Sequence, residues 1–217
     1  MATKNKSWEY QSSIHNWDMT LEMAQQLTVV GKVSAQGSLN LGDVLDERSK
    51  GNGLVNTNGL RFGLLTGGML LSYCAVESFI NSAAEMLTGY ESFPDFDRDG
   101  FNKESGFWSR LKKVYKHVGI EVDKGKEPFQ SILELHEWRK SVVHAKPVMV
   151  SAENIDPSDR EVLHRLHESQ SNKDFLREVN ENAAGRFYEA AYDVIHMFID
   201  TTNLKPITSA IYTPQGK

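Results

Sequence analysis

Residues 60–87, LRFGLLTGGMLLSYCAVESFINSAAEML, constrain the fold more than any other part of the chain. The stretch is too long for a strand. Its apolar positions Leu64, Leu71, Val76, Phe79, Ile80, Ala83 and Leu87 recur at helical spacing and predict one long helix. Between Arg61 and Glu77 run 15 uncharged residues, fewer than the ~20 needed to span a bilayer. The run passes into an amphipathic pattern, so a buried helix is expected rather than a membrane span. Gly67 and Gly68 weaken the helix, kink it, or mark a close approach. Gly89 supplies a C-terminal stop.

Once one long buried helix is granted, the rest of the chain must cover it. Helices are expected over 107–118, 128–145, 156–170 and 173–201. Pro128 suits a first helical position, because its missing N–H would have no partner there. Pro147 disfavours helical geometry at Lys146 and ends that helix. Asp156 and Pro157 open the next, with acids near the positive end of its dipole. Phe187, Ala191, Val194, Ile195 and Phe198 form the buried stripe of the last. Residues 91–106 read as a polar loop. Strand signals are few.

The N-terminal third is less regular. Trp17, Leu21, Ala24 and Leu27 fit a helical stripe, whereas 34–59 read as loop. The glycines and asparagines of 51–59 lack the strand and helix that flank a phosphate-cradling loop, and are expected to be a flexible connection. The expectation is an all-α protein: a bundle of four to five helices over 57–202, a partly helical arm over 1–56, and an extended or loose tail over 203–217.

Composition narrows the function. A chain of 217 residues, 40% hydrophobic and 24% charged, suits one soluble domain, or one with an added arm. Its single cysteine, Cys74, allows no intramolecular disulfide, fits a cytoplasmic setting, and is expected to be an inert core residue. The first residues carry lysines with no apolar run behind them, so no signal peptide and no membrane attachment are expected. The net charge of −5 excludes a global positive field for polyanions. Nucleic acid would have to bind a local basic patch.

Two stretches offer such chemistry. The first is RKSVVH, Arg139 to His144, in the last turns of the 128–145 helix. Five residues at 100° each separate Arg139 and His144 by about 140°, so one flat helix face cannot present both to a small ligand. Two such helices across a twofold axis could line one groove. A histidine at a helix C-terminus keeps its charged form favoured, near the pKa of ~6.5 where it exchanges protons at cellular pH. Arg139 offers a planar fork matched to phosphate, and Lys140 adds a second charge. The plainer alternative is that Arg139 pairs with Glu134 or Glu77 and His144 caps its helix.

The second stretch is SRLKKVYKH, 109–117. Lys112, Lys113 and Lys116, near Trp108 and Tyr115, suit single-stranded RNA, unless they are a solvated helix face. His136, one turn before Arg139, could join the groove. His164 and His167 share a helix face but no Cys pair or HExxH completes a zinc site.

Arg139-Lys140-Ser141-Val142-Val143-His144 resembles the R-x4-6-H motif of the HEPN superfamily, with a polar residue after the arginine. SYCAVESFIN, 72–81, resembles that family's first core helix. The resemblance covers roughly residues 60–200. It implies a dimeric, cofactor-free and metal-independent endoribonuclease, often a toxin or anti-phage effector held by a neutralising antitoxin or another defence partner. Inactive family members bind nucleotide, RNA or protein. It further implies Arg139 and His144 as catalytic residues, Lys140 as their support, and a homodimer formed through the motif helix. Apart from the resemblance, Glu77 and Asn81, on a helix expected to pack against the motif helix, are expected to support the same groove, and Lys112, Lys113 and Lys116 to contact RNA.

Overall fold

The structure, a computed structural model, describes residues 8–13, 15–35, 57–88, 90–143, 178–206 and 209–214. In chain order these form β1 (Trp8–Ser13), α1 (Trp17–Ala35), α2 (Thr57–Leu87), α3 (Arg98–Lys103), α4 (Phe107–His117), α5 (Phe129–Val143), α6 (Glu181–Thr202) and β2 (Ser209–Pro214). Helices dominate, as expected. The 156–170 helix lies outside the described residues.

α2 is the hub, and every other described helix packs on it. Met69, Tyr73, Val76, Phe79, Ile80, Ala83 and Leu87 are buried around its circumference. One stripe stays open: Gly63, Cys74, Asn81 and Glu85 are exposed at helical spacing. Cys74 is therefore not the core residue its apolar neighbours suggested, because the step from Tyr73 turns it outward. The segment Gly59–Leu87 is long and apolar enough to cross a bilayer. In this fold its apolar faces are covered by the other helices.

The glycine pair marks a close approach. A Cβ on Gly68 would collide with the Thr28 hydroxyl and stand 3.2 Å from the Thr28 nitrogen and 3.3 Å from the Ala24 oxygen of α1. Gly31 of α1 likewise abuts Leu65. α1 thus packs as part of the bundle and puts Trp17, Leu21, Ala24 and Thr28 into its core. Gly68→Ala is expected to destabilise by about 1–3 kcal/mol through overpacking. At Gly63 nothing lies within 4 Å, so Gly63→Ala should instead stabilise, by up to about 1 kcal/mol from helix propensity. Urea midpoints of the two variants moving in the same direction would refute this account.

Two helix boundaries depart from expectation, and the tail, expected to be extended or loose, includes a strand. The 91–106 loop contains α3, whose cap Asp97 accepts from the Gly100 amide at 2.8 Å. The last helix starts at Glu181 rather than near 173, where Asn180 caps it through the Ala183 amide. The two chain ends pair as an antiparallel ribbon, Trp8 opposite Pro214 and Ser13 opposite Ser209. Beside it the Trp17 indole N–H donates to the Pro206 carbonyl at 2.7 Å, tying the start of α1 to the chain beyond α6.

Candidate functional site

α5 sends Phe129, Ile132, Leu135 and Trp138 into the core. That phase leaves Glu134, Glu137, Lys140 and Ser141 exposed, with His136 and Arg139 half-buried against α2. α5 is described as far as Val143, and His144 lies outside the described residues, as do His164 and His167.

The guanidinium of Arg139 lies over the ring of Tyr73, 5.2 Å from its centroid. Glu134 does not pair with it, but binds Arg186 of α6 at 2.6 Å. Among the described residues no ion pair joins Arg139 to Glu77 either. Both nonetheless bear on Tyr73. Burial, then the Glu77 charge, raise the phenol well above its usual range, and Arg139 opposes them.

His136 completes the cluster. Its Nδ1 lies 3.2 Å from the Tyr73 hydroxyl. Its ring stacks on Phe107 of α4, with centroids 5.2 Å apart and planes 16° apart. Burial lowers the imidazole pKa, Glu137 opposes that, and Lys140 and Arg139 lower it further. The sequence weighed His136 but gave no hint of Tyr73, whose place beneath Arg139 depends on how two distant helices cross.

The other expected residues divide. Lys140 binds Glu137 one turn earlier at 2.9 Å, an exposed pair of the kind worth ~0–1 kcal/mol and readily exchanged for a phosphate. Glu77 and Asn81, successive turns of the open stripe of α2, line a small polar notch with Arg110, Ser105 and Gly106. Lys113 is committed to Asp97 at 2.8 Å and holds that carboxyl below the usual range. Arg110 and His117, on the same side of α4, reach the carbonyls of Glu104 and Phe93. One side of the basic helix therefore clamps the 90–104 segment. Lys112 and Lys116, one turn apart on another side, line an open cleft of about 400 Å³ with Gly119, Ile120 and Val122. Of the three lysines expected to contact RNA, these two are brought together and Lys113 is not.

Among the described residues no three His, Cys, Asp or Glu side chains are grouped to hold a metal ion. The chain matches no family model, no characterised protein and no solved structure.

Proposed function

We propose that this chain is a HEPN-like, metal-independent endoribonuclease, acting in the cytoplasm as a homodimer through α5, in a toxin or anti-phage setting. The observation that carries the proposal is the state of Arg139. Its fork sits half-buried in the last turns of α5, backed by Tyr73, with no carboxylate bound to it among the described residues. His144 follows five residues later in the sequence.

RNA supplies its own nucleophile. His144, as base, takes the proton of the 2′-hydroxyl, the O2′–P bond forms, and the P–O5′ bond breaks. A second acid, His144 of the other copy in a twofold site, protonates the leaving 5′-oxygen. Arg139 holds the non-bridging oxygens as charge builds on the phosphorane, and Lys140 steers the backbone. Lys112 and Lys116 would guide the strand. The products carry a 2′,3′-cyclic phosphate and a 5′-hydroxyl. A neutralising antitoxin or a defence partner would restrain such an activity.

The test is cleavage of labelled single-stranded and structured RNAs in EDTA, with wild type beside His144→Ala. A general acid–base residue contributes about 10²–10⁴-fold, so the folded variant should lose at least two orders of magnitude. Cleavage by the variant at the wild-type rate would refute the assignment. A second proposal, a catalytically silent helical module that binds nucleotide, RNA or a protein, is favoured by the same Tyr73–Arg139 packing, which gives the arginine a structural use. Clean wild type that cuts none of the RNAs would select it.

A further inference from the structure

We infer that Tyr73 and His136 form a positioning pair that fixes the guanidinium of Arg139 toward the scissile phosphate of an RNA strand. The inference rests on the ribonuclease proposal for its ligand, but the hold on Arg139 stands on geometry alone.

Tyr73 is 2% exposed. A tyrosine needed there only for packing could be a phenylalanine, because a buried hydroxyl costs stability unless it is bonded. Here the hydroxyl meets His136 Nδ1 at 3.2 Å. With Nδ1 accepting, the neutral imidazole carries its proton on Nε2. The imidazole is itself fixed, face to face with Phe107 and edge-on to Trp108, whose centroid lies 6.4 Å away. α4 therefore holds His136, His136 holds the phenol, and the phenol ring lies under Arg139 at 5.2 Å.

His136 and Arg139 are three residues apart on α5 and share its side toward α2. One tyrosine thus engages both. The charged and titratable groups acting on His136 are Glu137, Arg139 and Lys140 from its own helix and Tyr73 and Glu77 from α2. α4 contributes the apolar rings of Phe107 and Trp108. The guanidinium carbon lies 5.2 Å from the Tyr73 centroid, and among the described residues no carboxylate pairs with the N–H edge of the fork. That edge is what binds phosphate oxygens in two parallel hydrogen bonds. Contact with a fixed ring limits the fork's rotation, which is the preorganisation that charge stabilisation requires.

The test compares wild type with Tyr73→Phe, His136→Leu and His136→Asn. Asparagine can place an amide atom where Nδ1 lies, so it is the conservative variant. Two readouts are taken on proteins whose melting temperatures show them folded: steady-state RNA cleavage, and the Arg139 Nε–H signal in the nitrogen-correlated NMR spectrum. Tyr73→Phe and His136→Leu should each lower kcat about tenfold, as expected of a slightly misplaced group. KM should stay within about twofold, because the lost interaction belongs to the transition state. The Arg139 signal should move in both, and His136→Asn should restore both readouts. An Arg139 signal unchanged in all three variants overturns the positioning pair whether or not RNA is cut. A wild type that cuts no RNA while the signal still moves overturns the ribonuclease proposal and leaves the hold on Arg139 supported.

Discussion

Arg139→Ala is expected to slow RNA cleavage by about 10²–10³-fold, the usual cost of removing one preorganised donor from a site where charge develops. Arg139 has no other strong engagement among the described residues that would explain its position. Glu134 is taken by Arg186, and the guanidinium carbon lies 5.2 Å from the Tyr73 ring centroid. Arg139→Lys should recover little, because an ammonium is a point charge and cannot make the parallel pair of bonds. Arg139→Ala also removes a cation–π contact worth about 0.5–2 kcal/mol, so some stability will be lost with it. That loss is small enough to leave the protein folded at assay temperature, and a melting curve checks it. The decisive quantity is the rate per folded molecule at saturating RNA. If it stays within a few-fold of wild type in Arg139→Ala, the guanidinium does not act on the phosphate, and its packing on Tyr73 is its whole purpose.

The part of this site that sequence could reveal is the part that is local. RKSVVH, the proline after it and the apolar period of α5 all lie within a few turns of one another. The helix phase they set is the observed one: Trp138 points in, Lys140 out, and Arg139 lies between. What faces Arg139 across the gap is not local. Glu77 was the expected partner, as the charged end of an uncharged run, but the turn of α2 that meets Arg139 carries Tyr73, one turn earlier. Helix spacing fixes which side of α2 is presented, not which turn.

The same division runs through the fold. α2, α4 and α5 were legible because their apolar spacing is internal to each. The small-residue contacts of Gly31 and Gly68 between α1 and α2 join segments far apart in sequence, so Gly68 reads only as a weak point, a kink or a close approach, and Gly31 carries no signal. β1 alternates aromatic and polar residues only from Trp8 to Gln11, and its pairing is specified by a partner some two hundred residues away. The caps of α3 and α6 were present in the sequence, at Asp97 and Asn180. Gly100, a poor helix former, obscures the first, and the apolar Phe175 and Val179 upstream obscure the second.

Phe79→Ala is expected to cost about 3–5 kcal/mol, the range for emptying a buried phenylalanine site. Phe79 is fully buried where three helices meet. The Trp17 ring of α1 approaches it edge-on at 5.2 Å and the Phe198 ring of α6 at 5.4 Å. Phe198 in turn packs on Tyr115 of α4, whose hydroxyl donates to the Val194 carbonyl of α6 at 2.7 Å. Collapse into the vacated space is restricted, because each lining ring is held by another helix or by a hydrogen bond. Each aromatic pair adds about 0.5–1.5 kcal/mol beyond area burial, so the loss should lie toward the upper end of the range. A domain of ordinary stability has about 5–15 kcal/mol in total, so the variant should have a sharply lower urea midpoint at unchanged slope. Its consequence for cleavage differs in kind from that of Arg139→Ala. The rate per folded molecule should equal wild type, since Phe79 lies inside the α1–α2–α6 junction and Arg139 is carried by α5 on the Tyr73 turn of α2. A midpoint within about 1 kcal/mol of wild type would mean that the junction relaxes into the gap, as well-collapsing sites do, and that the rings around Phe79 are not locked in the way their contacts imply.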